Sequence, residues 1–324
     1  MTERNVLVVD WSANSKPKTG ADSIWIGDAY GNRVNPSTRV EAIEFLKRLI
    51  SQKGDDQKWL IAFDFSFGVP CWGGKKGQAG LSFWETVRNC FLDVDQECCD
   101  LKNKAAELRW EVASNLNRDF FNEQKFWGCP NEQIFNHLSS TKGKRDEDKQ
   151  TRKTDKDAAG SKSPWQLLGA GSVGSQMLMG IFHLQRWRKP KPNKKDKKWE
   201  DKISVWPFEE SNKQIVFAET FPSHEDFAGK NKLIDQINNH RCGLVKDAVQ
   251  VTAVANCLQQ ALPNLDAAMR NEAGDNAQKE GLILTPDQEL LDTLEWDSAR
   301  LDELFLGPGE GPCEWIGLLN EVSS

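Results

Sequence analysis

The sequence predicts an α/β fold, and three observations carry that expectation. Uninterrupted apolar runs of strand length alternate with stretches of helical periodicity, the first 70 or so residues read strand, strand, helix, strand, and three of the apolar runs stop abruptly on an acid. The first run is VLVVD, ending at Asp10. A polar loop follows, then SIWIGDAYG, a short strand that ends at a glycine-containing turn. In STRVEAIEFLKRLISQKGDD, Val40, Ile43, Leu46, Leu49 and Ile50 recur at helical spacing before a stop at Gly54. KWLIAFD is again a continuous apolar run, closed by Asp64.

The middle of the chain differs in kind. From Leu81 to Phe121 apolar residues keep helical spacing, as at Phe83, Val87 and Phe91, which predicts a helical insertion. Gly143 to Lys162 is rich in charges of both signs and poor in apolar residues, and is expected to be a mobile loop. A turn and a helix follow in SPWQLLGAGSVGSQMLMGIFHLQRW. The next tract, Arg188 to Lys198, carries seven basic residues against one acidic. Regular structure returns with QIVFAE, a strand ending at Glu219, and with CGLVKDAVQVTAVANCLQQALP, a helix expected to end at Pro263. GLILTP allows one more short strand, and a helical pattern resumes from Asp287. This divides the chain into a discontinuous core over 1–74 and 204–286, a mainly helical insertion over 75–203, and a C-terminal helical extension over 287–324.

Bulk properties narrow the class. The 324 residues are 38% hydrophobic and 28% charged with a formal net charge of -6, so contact with nucleic acid would have to come from local patches. Eight scattered cysteines without a CxxC pair argue against a zinc site or a disulfide scaffold and for reduced thiols in a cytoplasm. The N-terminus lacks the pattern of a signal peptide, and no apolar run approaches the roughly 18 residues of a membrane span. A cytoplasmic protein with no membrane partner is expected. Oligomeric state leaves no mark in the sequence.

Three strands that end in Asp10, Asp64 and Glu219 read as adjacent inner strands whose carboxyl ends gather their acids, where open α/β sheets bind ligands. Asp247 precedes Val251, Val254, Leu258 and Leu262 at helical steps, which places it on the stripe facing the sheet. Four converging carboxylates repel unless protonated or neutralised, and hard divalent ions suit an all-oxygen site. A pair of Mg²⁺ or Mn²⁺ ions flanking a phosphate is the expected arrangement. Taken singly, each acid is as well explained as a turn former or helix cap.

VVDWS, IAFDFSFGVP, VFAETFPS and KDAVQVTAVA, in this order, resemble the RNase H-like superfamily, and more narrowly a bacterial family of predicted RNase H-fold nucleases of unknown function. The likeness covers both ends of the chain and leaves the middle and the tail aside. It implies an RNase H-like mixed five-stranded sheet flanked by helices, with metal-dependent phosphodiester hydrolysis at a two-metal centre. On this likeness Asp10 would bridge both ions, Asp64 would hold one and Asp247 the other, with Glu219 an auxiliary ligand or water-positioning group. A non-catalytic RNase H-fold module that binds nucleotides or partners is the alternative.

Other motifs suggest further contacts. GAGSVG, with Gly169, Gly171 and Gly174, fits a phosphate or dinucleotide loop and would suit a nucleotide-using cofactor-biosynthesis enzyme, although no strand is read before it. Close packing at a helix start is the other reading, with free amides available to a phosphate. Lys194, Lys195, Lys197 and Lys198 could steer a nucleic-acid backbone, and Arg118 with Trp127 could cap the cleft. A solvated loop and a packing turn are the plainer readings of both. Among the histidines only His224 invites attention as a proton-transfer group, and Cys129 reads as a packed thiol.

Overall fold

In the computed structural model the described residues are 4–70, 79–95, 102–130, 135–143, 151–158, 160–190, 199–222, 245–271 and 280–285. Lys194, Lys195, Lys197 and Lys198 of the basic tract, His224, and the expected C-terminal extension lie outside them. The strands are β1 (Arg4–Asp10), β2 (Trp25–Asp28), β3 (Arg33–Val34), β4 (Lys58–Asp64), β5 (Ile203–Val205) and β6 (Ile215–Glu219). They form one mixed sheet in the order β3-β2-β1-β4-β6-β5. β1, β4, β6 and β5 run parallel, while β2 and β3 form an antiparallel margin on β1. The three acid-terminated runs are therefore adjacent inner strands. Six strands replace the expected five because Ile203–Val205 pairs with β6; a three-residue strand is too short for periodicity to mark.

Local chemistry sets the early elements. Asp28 closes the β2–β3 hairpin by accepting from the amides of Tyr30 and Asn32. Helix α1 (Arg39–Lys53) starts at Thr38, whose hydroxyl accepts from the Glu41 amide, and it stops at Gly54, whose φ of 94° suits glycine. α1 then carries the chain across to β4, parallel to β1.

Both faces of the sheet are covered, as a largely parallel sheet requires. Odd-numbered positions of the central strands, including Leu7, Val9, Ile61, Phe63 and Phe217, share one core with α1, α2 (Gly80–Val94), α3 (Ala105–Asn115) and α5 (Val173–Arg188). Of the middle helices α5 meets the sheet, with Trp187 against Phe217, while α2 and α3 pack on α5 and on each other. A π-helical turn, Leu116–Phe121, extends α3. Even-numbered positions, Val6, Val8, Leu60, Ala62, Val216 and Ala218, pack beneath a single long helix, α6 (Lys246–Asn271). Val251, Val254, Leu258 and Leu262 are all buried there, as their spacing predicts. Gly27 lets α6 approach β2, since a Cβ at that position would stand 2.8 Å from the Val251 side chain.

Two expectations are corrected. α6 does not end at Pro263 but continues to Asn271, because Leu265 and Met269 on the far side are buried against the sheet and offset the one backbone hydrogen bond that proline removes. Within the charged tract, Lys153–Asp157 forms a short helix, α4, and Arg152 and Asp155 are buried. Charges of opposite sign are tolerated there because they satisfy one another.

Candidate functional site: a carboxylate cavity at the strand ends

Asp10 is the last residue of β1 and Asp64 the last of β4, and the parallel register sets them directly side by side. Both follow the even-numbered alternation, so they point to the α6 side of the sheet. Asp247, in the first turn of α6, meets them from that side. All three line one cavity of about 450 Å³ together with a fourth acid, Asp22, from the loop between β1 and β2. The backbone amide of Asp22 donates to the Asp247 carboxylate at 2.7 Å, which ties the loop to the helix. Fully buried Arg39 holds the neighbouring wall by donating to the carbonyls of Ser12 and Asn14.

Glu219 is not brought to this cavity. Its strand pairs Phe63 with Glu219, so the side chain shares the odd-numbered face with Phe63 and leaves on the side opposite Asp64. There it closes a buried ion network. Arg152 donates to Glu219 Oε1 and Oε2 at 2.6 and 2.7 Å and to both oxygens of Asp155, while the Phe67 amide donates to Glu219 Oε2 at 2.8 Å. The role of metal ligand or water-positioning group carried over for Glu219 is replaced by that of a partner for Arg152.

The two sides differ in how their charge is met. On the Glu219 side the protein supplies the counter-charge. On the cavity side, among the described residues, no basic side chain makes an ion pair with Asp10 or Asp64. Burial at the strand ends and the neighbouring Asp64, Asp247 and Asp22 hold the Asp10 carboxyl well above the usual range, with Lys246 acting in the opposite sense. Burial, then Glu219 and Asp247, push Asp64 up to about 7. Near neutrality the adjacent pair therefore retains a proton or requires a cation. The oxygen donors fit a hard divalent ion in type and charge. Among the described residues, no three His, Cys, Asp or Glu side chains are closed around a single point.

The remaining expected contacts are distributed differently. Gly171 lines the cavity, with Ser172, Ser175 and Gln176 of the α5 start. The amides of Val173, Gly174 and Ser175 donate to the carbonyls of Gly171, Gln166 and Ser172, so they are closed to a phosphate. Gly169 and Gly171 take φ of 93° and 77°, and Gly174 permits close packing, since a Cβ there would lie 2.6 Å from the Pro164 carbonyl. The described residues 160–168 leading into this loop form no strand. Arg118 is exposed and paired with Asp119, while Trp127 bridges to Ser139 and Gln166; neither lines the cavity. The arginine that does is Arg109, on α3. Cys129 is buried and donates to the Leu138 carbonyl.

Asp22 and Arg109 are the charged cavity residues that sequence reasoning missed. Asp22 sits in a polar loop with left-handed backbone (φ 52°), and no apolar run points to it. Arg109 is one charged residue in a helix that carries several. No helix among the described residues is long and apolar enough to cross a membrane. No protein-family model matches the chain, and neither a curated protein nor a solved structure matches it.

Proposed function

We propose that the protein is a metal-dependent phosphodiesterase of RNase H-like architecture, with nucleic acid or a nucleotide as substrate. The observation that carries this reading is the pairing of Asp10 with Asp64 at the ends of adjacent parallel strands, facing Asp247 across one cavity, with no ion pair to a basic side chain among the described residues. The order β3-β2-β1-β4-β6 supports it, being compatible with the five-stranded sheet that the sequence likeness implies, with β5 added outside β6. Asp10, Asp64 and Asp247 are the residues that would hold Mg²⁺ or Mn²⁺, with Asp22 lining the same cavity. A bound pair of such ions supplies Lewis acidity and an activated water at the scissile phosphate. The chain's own part is to present carboxylate oxygens that no basic side chain among the described residues pairs with, and to hold Asp247 through the Asp22 amide. The thiols of Cys90 and Cys129, outside any disulfide among the described residues, suit a reducing compartment such as the cytoplasm.

The test is the melting temperature of wild type and of Asp10→Asn in Mg²⁺, in Mn²⁺ and in EDTA, followed by cleavage assays on single- and double-stranded DNA and RNA. A metal-dependent rise confined to wild type, with hydrolysis that the substitution abolishes, is the expected outcome. Equal melting in metal and EDTA together with no cleavage would reject the reading and leave a non-catalytic binding module.

A further inference from the structure

Another wall of the cavity carries a cation that makes no ion pair among the described residues. Arg109 reaches the cavity from α3, and its Nη1 donates to the carbonyls of Ala106 at 2.8 Å and Ala13 at 3.3 Å. Its Nε is buried without a hydrogen-bond partner, and among the described residues no carboxylate pairs with it. The guanidinium lies over the Trp110 ring, 4.3 Å from the centroid, which fixes its plane. Burial and the like charge of Arg39 outweigh the nearby Glu107 and lower its pKa to about 10, so it remains charged at neutral pH. Two hydroxyls share the cavity with open donor capacity. Ser12 Oγ accepts from Asn14, which leaves its proton available, and the Ser172 side chain makes no cap hydrogen bond at the α5 start.

We propose that Arg109, with Ser12 and Ser172, forms an anion-binding half of the cavity that holds a phosphate group of the substrate other than the one at the aspartates. A guanidinium with unused N–H groups matches the oxygens of a phosphate, and each charge-assisted hydrogen bond is among the stronger polar contacts. A cavity acidic on one side and basic on the other selects a ligand with at least two charged points, which a chain of nucleotides or a nucleotide with a further phosphate supplies. The assignment of that ligand as a substrate rests on the hydrolytic reading of the aspartates; the anion site itself does not.

The experiment separates the two. Inorganic phosphate is titrated by calorimetry in EDTA into Asp10→Asn, in which one repelling carboxylate is gone. Binding is expected there, and adding Arg109→Gln weakens it about tenfold or more. Adding Ser172→Asp instead does the same by charge repulsion. Ser172→Asp also places a favoured cap at a helix start, so it keeps the outcome readable if Arg109→Gln fails to fold. Arg109→Gln in an otherwise wild-type chain retains the Mg²⁺-dependent rise in melting temperature. No phosphate binding to Asp10→Asn, or equal binding after either added substitution, overturns the proposal whatever the metal experiments give. Conversely, absence of any metal effect removes the hydrolytic reading and leaves the anion site standing. Tighter binding of a nucleoside monophosphate than of an oligonucleotide with internal phosphates identifies a terminal phosphate as the occupant, the reverse order identifies an internal one, and both support the site.

Discussion

Replacing Asp64 by Asn tests the electrostatic argument at its centre. The Asp64 carboxyl is raised from 3.8 to about 7, so the folded protein keeps a proton that the unfolded chain has already released. A carboxyl raised in this sense gives stability that is fully present below the unfolded pKa and lost as pH rises through the folded one. At about 1.4 kcal/mol per pH unit, the loss over the whole interval is about 4 kcal/mol, of which about 3 kcal/mol falls between pH 5 and pH 8. Asn has the same shape and no proton to lose. In EDTA, urea unfolding of wild type and Asp64→Asn at both pH values should therefore show the variant gaining about 3 kcal/mol on wild type across the interval. Comparing the two proteins cancels the shared groups that do not sense Asp64, while Asp10, which Asp64 perturbs, changes with it. A saturating divalent ion should return much of the difference to wild type, since an ion at a hundred times its Kd contributes about 2.7 kcal/mol. Parallel pH profiles for the two proteins in EDTA would refute the reasoning, because the acid would then ionise in the folded state without cost.

Asp247→Asn should abolish the metal-dependent rise in melting temperature and any hydrolysis while leaving the circular dichroism spectrum unchanged. Arg152→Met should cost about 3 to 5 kcal/mol in urea unfolding, because it strands Glu219 and Asp155 as buried charges, whereas Arg118→Ala on the surface should leave the midpoint in place. Glu219→Gln should lower stability yet keep the metal-dependent rise, an outcome opposite to that for a ligand. Gly180→Ala should lose about 1 to 3 kcal/mol by thermal melting, because its Cβ would overlap the Phe65 ring.

The sequence marks the acids better than it marks where they point. Long apolar runs identify β1, β4 and β6 because strands buried on both faces need no polar alternation, and the spacing from Asp247 to Leu262 marks the buried side of α6. Register is another matter. Whether Glu219 stands beside Phe63 or beside Asp64 depends on how β6 slides along β4, and a slip of one residue exchanges the two faces of the sheet. No local pattern encodes that choice. Arg152 is hidden for a related reason: within a run of alternating charges, only the folded chain distinguishes the arginine that meets two carboxylates in the interior from those that meet water. Asp22 comes to the cavity through a loop conformation, which hydrophobic periodicity does not describe.

The sheet thus carries two answers to one problem, set back to back at the ends of neighbouring strands. On one face an inherited arginine travels with the chain from synthesis onward and is never in short supply. On the other, neutralisation is left to protons and to whatever cations the surroundings hold. The first face is indifferent to the medium, while the second reports on it. A chelator should therefore act on half of this strand-end architecture and leave the other half as an undisturbed reference within the same molecule.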